Sequence, residues 1–130
     1  MNGAFMLTSS KQPRKQRKAR FEARLHERQH LVHAHLSKEL RAKLKTKRRS
    51  LEIRKGDRVK ILRGERKGKS GKVTRVDLKE LKIYIEGVLN RKAKGNEIPA
   101  PVDPSNVVIV EADFGDKWRK KVLERSAKTA

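Results

Sequence analysis

Gly64 to Ser70 reads GERKGKS, which has the residue types of a phosphate-binding loop but not its spacing. In the Walker pattern four residues separate the first glycine from the Gly-Lys-Ser/Thr, so that successive backbone N–H groups wrap a triphosphate and the lysine reaches its terminal phosphates. Here only Glu65, Arg66 and Lys67 intervene, and Gly71, Lys72 and Val73 follow in a strand pattern where a helix N-terminus should begin. Nucleotide hydrolysis is therefore not the chemistry of this loop. The wider stretch Arg63 to Lys72, RGERKGKSGK, still places three glycines, Gly64, Gly68 and Gly71, among five basic side chains, Arg63, Arg66, Lys67, Lys69 and Lys72. Glycine permits positive φ and close approach of another backbone, arginine forks two phosphate oxygens, and lysine acts as a point charge. The combination points to the phosphates of a polymer, although glycines that merely turn a long loop would look the same.

Other reactive residue types converge less well. His26, His30 and His33 have spacings of four and three, which would line them along one helix face as zinc ligands, but no acid or thiolate accompanies them, and histidines beside RNA more often stack or gain charge. Asp57, Asp77 and Glu86 are the candidate acids, without a partner nucleophile, and Asp57 after Gly56 suits a turn or strand entry. Tyr84 reads as a barrel or surface residue ahead of a stacking platform, since single-strand binders interleave several aromatics. No enzyme activity, cofactor or metal follows from this set.

The elements that must position the loop are short strands. From about Leu51 the pattern is of strands: Asp57, Val59 and Ile61 alternate with Arg58, Lys60 and Leu62; Gly71–Asp77 forms a second strand and Leu81–Val88 a third, with Ile83 and Ile85 on one face. A weaker strand lies near Glu97–Pro101, and Asn106–Val110 (NVVIV) is the last and most apolar. Val73 and Val76 break alternation, predicting a bulge, and Pro99, Pro101 and Pro104 exclude a central strand there. The fold class expected is mostly β: a small barrel that removes its own edges, with a basic, partly helical N-terminal arm and a short C-terminal helix. Leu36, Leu40 and Leu44 mark one face of a helix in SKELRAKL, capped by Ser37. At the other end Asp116–Ala127 is helical in pattern, and Trp118, four residues from Val122 and near Leu123, is expected to pack that helix onto the barrel.

Three segments result: a basic extension over residues 1–50, disordered or ordered on RNA; a barrel over 51–112; and a helix and tail over 113–130. Lys11 to Ser50 carries fifteen Lys and Arg against Glu22, Glu27 and Glu39, so an isolated chain would leave much of it a solvated tail with nascent helix. The whole chain of 130 residues holds 36 Lys and Arg against 15 Asp and Glu, a formal charge of +21, which demands a polyanionic partner. Five aromatics are thin support for a membrane surface. No cysteine is present, which suits a reducing, cytoplasmic setting, and the first residues show neither signal peptide nor membrane span; Met6 is an alternative start to Met1.

The run IRKGDRVKILRGERKGKSGKVTRVDLKELKIYIEGV resembles a KOW motif in its SH3-like barrel. The downstream PSNVVIV and DKWRKKVLERSAK, with KQPRKQRK, RLHERQ and LSKELR upstream in order, resemble the archaeal and eukaryotic form of the large-subunit ribosomal protein twenty-four family, from about Lys11 onward. That family typically has proline where this chain has Arg24 and His35. The resemblance implies a structural, non-catalytic binder of large-subunit rRNA in its 5′ domain, acting early in subunit assembly and lying near the exit of the peptide tunnel. Neighbouring ribosomal proteins and the nascent chain, but no membrane, would be its further contacts. Carried onto this sequence, the rRNA-binding set is Lys11, Arg14, Lys15, Arg17, Lys18 and Arg20 of the arm; Arg41, Lys43, Lys45, Lys47, Arg48 and Arg49 leading into the barrel; and Arg63, Arg66, Lys67, Lys69 and Lys72 of the loop. The alternative is a KOW-type regulatory or transcription elongation module, which normally adds a polymerase-binding domain that residues 1–50 are too poor in apolar residues to form. A small architectural DNA binder would need a major-groove helix or a minor-groove wedge.

Overall fold

The computed structural model describes residues 7–128; Met1 and Met6 lie outside the described residues. Seven strands form one sheet: β1 (His33–Leu36), β2 (Ser50–Glu52), β3 (Arg58–Ile61), β4 (Ser70–Asp77), β5 (Lys82–Arg91), β6 (Glu97–Val102) and β7 (Val107–Glu111). Their spatial order is β2-β1-β7-β3-β4-β5-β6, with β1 parallel to β7 and the other pairings antiparallel. The sheet curls, barrel-like, around a core of small aliphatic side chains, among them Val32, Leu36, Val59, Ile61, Val73, Ile83, Ile85, Val107 and Ile109. Around it lie α1 (Pro13–Glu22), α2 (Leu25–Arg28), α3 (Lys38–Leu44) and α4 (Lys117–Lys128).

Local sequence accounts for most of these elements. Ser37 caps α3 by accepting the Leu40 amide at 3.1 Å, and Leu40 turns into the core. The irregularity expected from Val73 and Val76 is present: the β4–β5 register shifts between Val73 and Arg75, and this bend helps a short strand wrap a small core. Proline-bearing β6 stands at the edge of the sheet, the position that best tolerates missing N–H groups, and its register against β5 shifts between Tyr84 and Leu89.

Two elements escape the sequence reading. The arm already holds a helix, α1, whose Pro13 occupies the first turn, where its absent N–H costs nothing. β1 inserts between β2 and β7, so the sheet draws on residues from both sides of position 50. Ala34 and Leu36 point into the core along it, continuing the alternation from Val32 just before it; Leu36, assigned to a helix face from its spacing, reaches that core from a strand instead.

The C-terminal helix is present, but Trp118 does not dock it. Trp118 is 68% exposed, and Arg119 is the residue that faces inward, at 3%. The reason is a buried carboxylate. Asp57, fully buried at the entry to β3, accepts from Arg119 Nη1 at 2.6 Å and Nη2 at 2.5 Å. The same carboxylate accepts the Arg54 amide at 3.0 Å and the Asp113 amide at 3.1 Å. Arg119 also donates to the carbonyls of Asp113 and Glu52, at 2.8 and 3.0 Å. With 3.6 residues per turn, directing Arg119 at Asp57 swings its predecessor toward solvent and brings Val122 and Leu123 against the core. Asp57 thus has a far larger structural role than a turn residue.

Gly71 is fixed by contact rather than by φ. A Cβ there would sit 2.6 Å from the Glu86 carbonyl oxygen and 3.0 Å from Ile85 Cγ2, so β4 and β5 could not keep their spacing. Gly71→Ala is expected to lower stability by about 1–3 kcal/mol, the usual cost of overpacking; a urea midpoint unchanged from the parent would show that β5 gives way freely.

Candidate nucleic-acid interface

The loop between β3 and β4 is a defined turn. Gly64 and Gly68 adopt φ of 95° and 90°, and the Gly68 amide donates back to Ile61 O at 2.8 Å while Ile61 N donates to Lys69 O at 2.8 Å. Arg63, Lys67, Lys69 and Lys72 are exposed around it. Arg66 differs: its guanidinium donates to the Asn90 side chain and reaches Leu89 O at 3.4 Å, pinning the loop to β5. Below the loop, Arg58 of β3 stands directly opposite Lys72 of β4, a like-charge pair that opposes the fold unless an anion lies over it; Glu111 of β7 offsets Arg58 on the other side.

The arm is a second basic element. Arg14, Lys15, Arg17, Lys18 and Arg20 are all exposed along α1, as is Lys11 before it. A residue absent from the sequence-derived set fastens it: Arg28 donates to Phe21 O at 2.6 Å, Ala23 O at 2.8 Å and Lys79 O at 2.9 Å, clamping the end of α1 to the β4–β5 turn. One arginine among fifteen basic residues carries no sequence signal for this task. The turn itself is closed by Asp77, which accepts the Lys79 and Glu80 amides at 3.0 and 3.2 Å.

The link from α3 to β2 is the third. Lys43, Lys45, Lys47 and Arg49 are exposed, whereas Arg41 and Arg48 are half-buried, and Arg48 Nε donates to Ser50 O at 3.1 Å. Lys45 ends α3 in the left-handed region, φ 48°, directing the chain toward Thr46, whose hydroxyl meets Ser126 of α4 at 2.9 Å.

β4 runs from the glycine loop at Ser70 to the turn at Asp77 against which the end of α1 is clamped, so the loop and the clamped end of the arm are separated by the strand's length, roughly 20–25 Å. The link lies instead beside the end of α4.

The histidines do not share a helix face: His26 is in α2, His30 in a 3₁₀ turn and His33 in β1, with the His30 and His33 rings 6.4 Å apart. No cluster of three metal-ligating side chains occurs among the described residues. Nor, among them, is any helix long and apolar enough to cross a membrane. Tyr84 is half-buried and carries the Arg75 guanidinium 5.3 Å from its ring centroid. Burial alone would raise the Asp103 pKa, but the Ser105 amide and hydroxyl and the Lys82 ammonium outweigh it and hold the carboxyl below its usual range. Asp116 is likewise lowered, first by Arg54 and then by the Trp118 amide.

Comparison with known sequences meets this geometry at every element. The profile of the family that unites eukaryotic ribosomal proteins L26 with their archaeal L24-type counterparts matches residues 10–126, from just before α1 to within α4. The chain belongs to this family. It is also 52% identical over 116 residues to the large ribosomal subunit protein uL24 of Methanothrix thermoacetophila, covering 89% of this chain and 98% of that one. Membership makes the chain a structural ribosomal protein rather than an enzyme. The resemblance read from the KOW run and its flanks therefore holds over the arm and α4 as well as the barrel. At Arg24, where the family typically has proline, φ is −70°, a value proline would also adopt. The Arg24 amide instead donates to Glu27 Oε2 at 2.7 Å, a bond proline could not form, so a hydrogen bond directs the chain here.

Near Arg48 of the link, His33 of β1 is a pH-sensitive point. Burial first, then the charges of Arg48 and His30, lower its pKa from 6.5, and its Nε2 is buried with no hydrogen-bond partner. The folded state thus holds His33 neutral while the unfolded chain takes up a proton below 6.5, so stability is full above that pH and falls as pH drops toward the lowered value. The urea midpoint is expected to fall between about pH 7.5 and pH 5.5, and His33→Phe to shrink that difference; an identical pH dependence in the variant would remove His33 from this role.

Proposed function

We propose that this protein is a constituent of the large ribosomal subunit that binds the 5′ domain of large-subunit rRNA through phosphate contacts. The observation that carries the proposal is the separation of the loop and the clamped end of the arm by the length of β4. A mononucleotide cannot bridge basic groups that far apart, whereas a folded RNA presents phosphates along its whole surface. Lys67, Lys69 and Lys72 hold one RNA segment at the loop. Arg14, Lys15, Arg17, Lys18 and Arg20 of α1 enter between RNA helices and neutralise their mutual repulsion. Lys43, Lys45, Lys47 and Arg49 extend the contact along the α3–β2 link. The barrel presents these groups on a fixed frame and reads RNA by shape and backbone, as suits A-form helices with inaccessible major grooves.

The resemblance to the family implies that this binding acts early in subunit formation, in the cytoplasm. In the finished subunit the protein lies on the outer surface near the end of the peptide tunnel, beside other large-subunit proteins and the emerging chain. The family and the Methanothrix thermoacetophila relative, named as a large-subunit protein, support the assignment to the large subunit.

The test is a competition titration at near-physiological salt between a 5′-domain rRNA fragment, an unrelated structured RNA and duplex DNA of equal length. A preference of about a hundredfold for the cognate fragment, roughly 2.7 kcal/mol, is expected. The triple variant Lys67→Ala, Lys69→Ala, Lys72→Ala should bind it more weakly and lower the slope of log K against log salt by about 2–3, one counterion set per lost phosphate contact. Equal affinities for the three competitors, or an unchanged slope, would contradict the proposal.

A further inference from the structure

We propose that Trp118 is a stacking platform for a single unpaired RNA base, forming a subsite on α4 separate from the loop, the arm and the link. The inference rests on the reading of this chain as an RNA-binding protein. The inward face of α4 is filled by Arg119, Val122 and Leu123, and none of the core needs the indole, which stands 68% exposed. Its backbone is nevertheless fixed, because the Trp118 amide donates to Asp116 Oδ1 at 3.0 Å and Arg54 holds the same carboxylate. The ring is held as well: Lys121 Nζ lies 4.4 Å from its centroid. Beside it runs an open groove of about 360 Å³ lined by Trp118, Lys121, Glu124 and Arg125.

The charge around the ring selects the occupant. Lys117, Lys120 and Lys121 are exposed on the same short stretch of helix, against Glu124 as the one exposed acid of α4. A protein partner seated on a tryptophan is expected to find further apolar side chains around it, since hot-spot aromatics sit in desolvated pockets. Here the surroundings are cationic, and the ligand class that joins a flat apolar face to a nearby negative charge is a nucleotide. Its base would lie on the indole and its flanking phosphates against the lysines. A base inside a helix already has both faces stacked, so the site takes a bulged, looped or single-stranded nucleotide.

Trp118 is the only tryptophan in the chain, so its intrinsic fluorescence reports on this site alone. The full-length protein would be titrated with a short single-stranded oligoadenylate and with a fully paired RNA duplex carrying the same number of phosphates, binding being followed independently by anisotropy of a label on the RNA. Oligoadenylate is expected to quench the tryptophan strongly and the duplex to leave it nearly unchanged. Trp118→Ala should weaken oligoadenylate binding at least about fivefold while leaving duplex binding unaltered, and Trp118→Phe should retain most of the affinity. Because the ring is exposed, both variants are expected to fold, which circular dichroism checks. Oligoadenylate that binds without quenching, or equal losses on both RNAs, would overturn the subsite while leaving the RNA-binding reading intact. Failure of every RNA to bind would overturn that reading, and the subsite with it.

Discussion

The buried pairing of Asp57 with Arg119 is the contact on which the other features of this structure depend. Two charges withdrawn from water are costly unless their remaining hydrogen-bonding capacity is filled. Asp57 meets that condition with two backbone amides besides the guanidinium, and Arg119 meets most of it with two backbone carbonyls besides the carboxylate. Arg119 also lies 5.5 Å from the Phe114 ring, while its Nε is left without a partner. The chain segments around Glu52, Arg54, Asp57 and Asp113 are thereby held to α4. A core made of aliphatic residues, with no buried aromatic ring among the described residues, has limited area with which to hold a peripheral helix, and this polar clip supplies the missing restraint.

The same economy explains the surface. The acids are scarce, and several are committed to building the fold: Asp57 to the clip, Asp77 to the β4–β5 turn, Asp103 to Ser105 and Lys82, Asp116 to the start of α4, and Glu27 to the Arg24 amide. The basic side chains of the loop, arm and link are left with little acidic compensation. In the free protein their mutual repulsion opposes the compact state, and the proposed binding to an RNA would relieve it. The glycine turn, the Arg28 clamp and the left-handed Lys45 fix where the positive groups stand.

Much of the barrel is legible in the sequence because its determinants are local. Val59 and Ile61, and Ile83 and Ile85, alternate into the core; the break between Val73 and Val76 appears as a register shift; the proline-bearing strand lies at an edge; and Ser37 caps its helix. What was hidden depends on distant partners. β1 is four residues long and interleaved with histidines, so its alternation of Val32, Ala34 and Leu36 stands out only once β2 and β7 flank it. α1 has no buried stripe to produce a helical period. The exchange of roles between Trp118 and Arg119 follows from Asp57, sixty-two positions away, and no helical pattern can indicate that a buried carboxylate waits for the cation rather than the indole. At the interface, the basic residues were visible by type, but the division between exposed Lys67 and tethered Arg66 required the position of Asn90.

The most direct measurement of the organising role of this pair is a double-mutant cycle by urea denaturation with Asp57→Asn, Arg119→Met and both together. Each single change strands a buried charge and should cost about 3–5 kcal/mol. The double variant should cost less than their sum by more than about 1 kcal/mol, the mark of a direct interaction. Additive losses, or single losses below about 1 kcal/mol, would contradict the account and leave α4 held by the apolar contacts of Val122 and Leu123 alone.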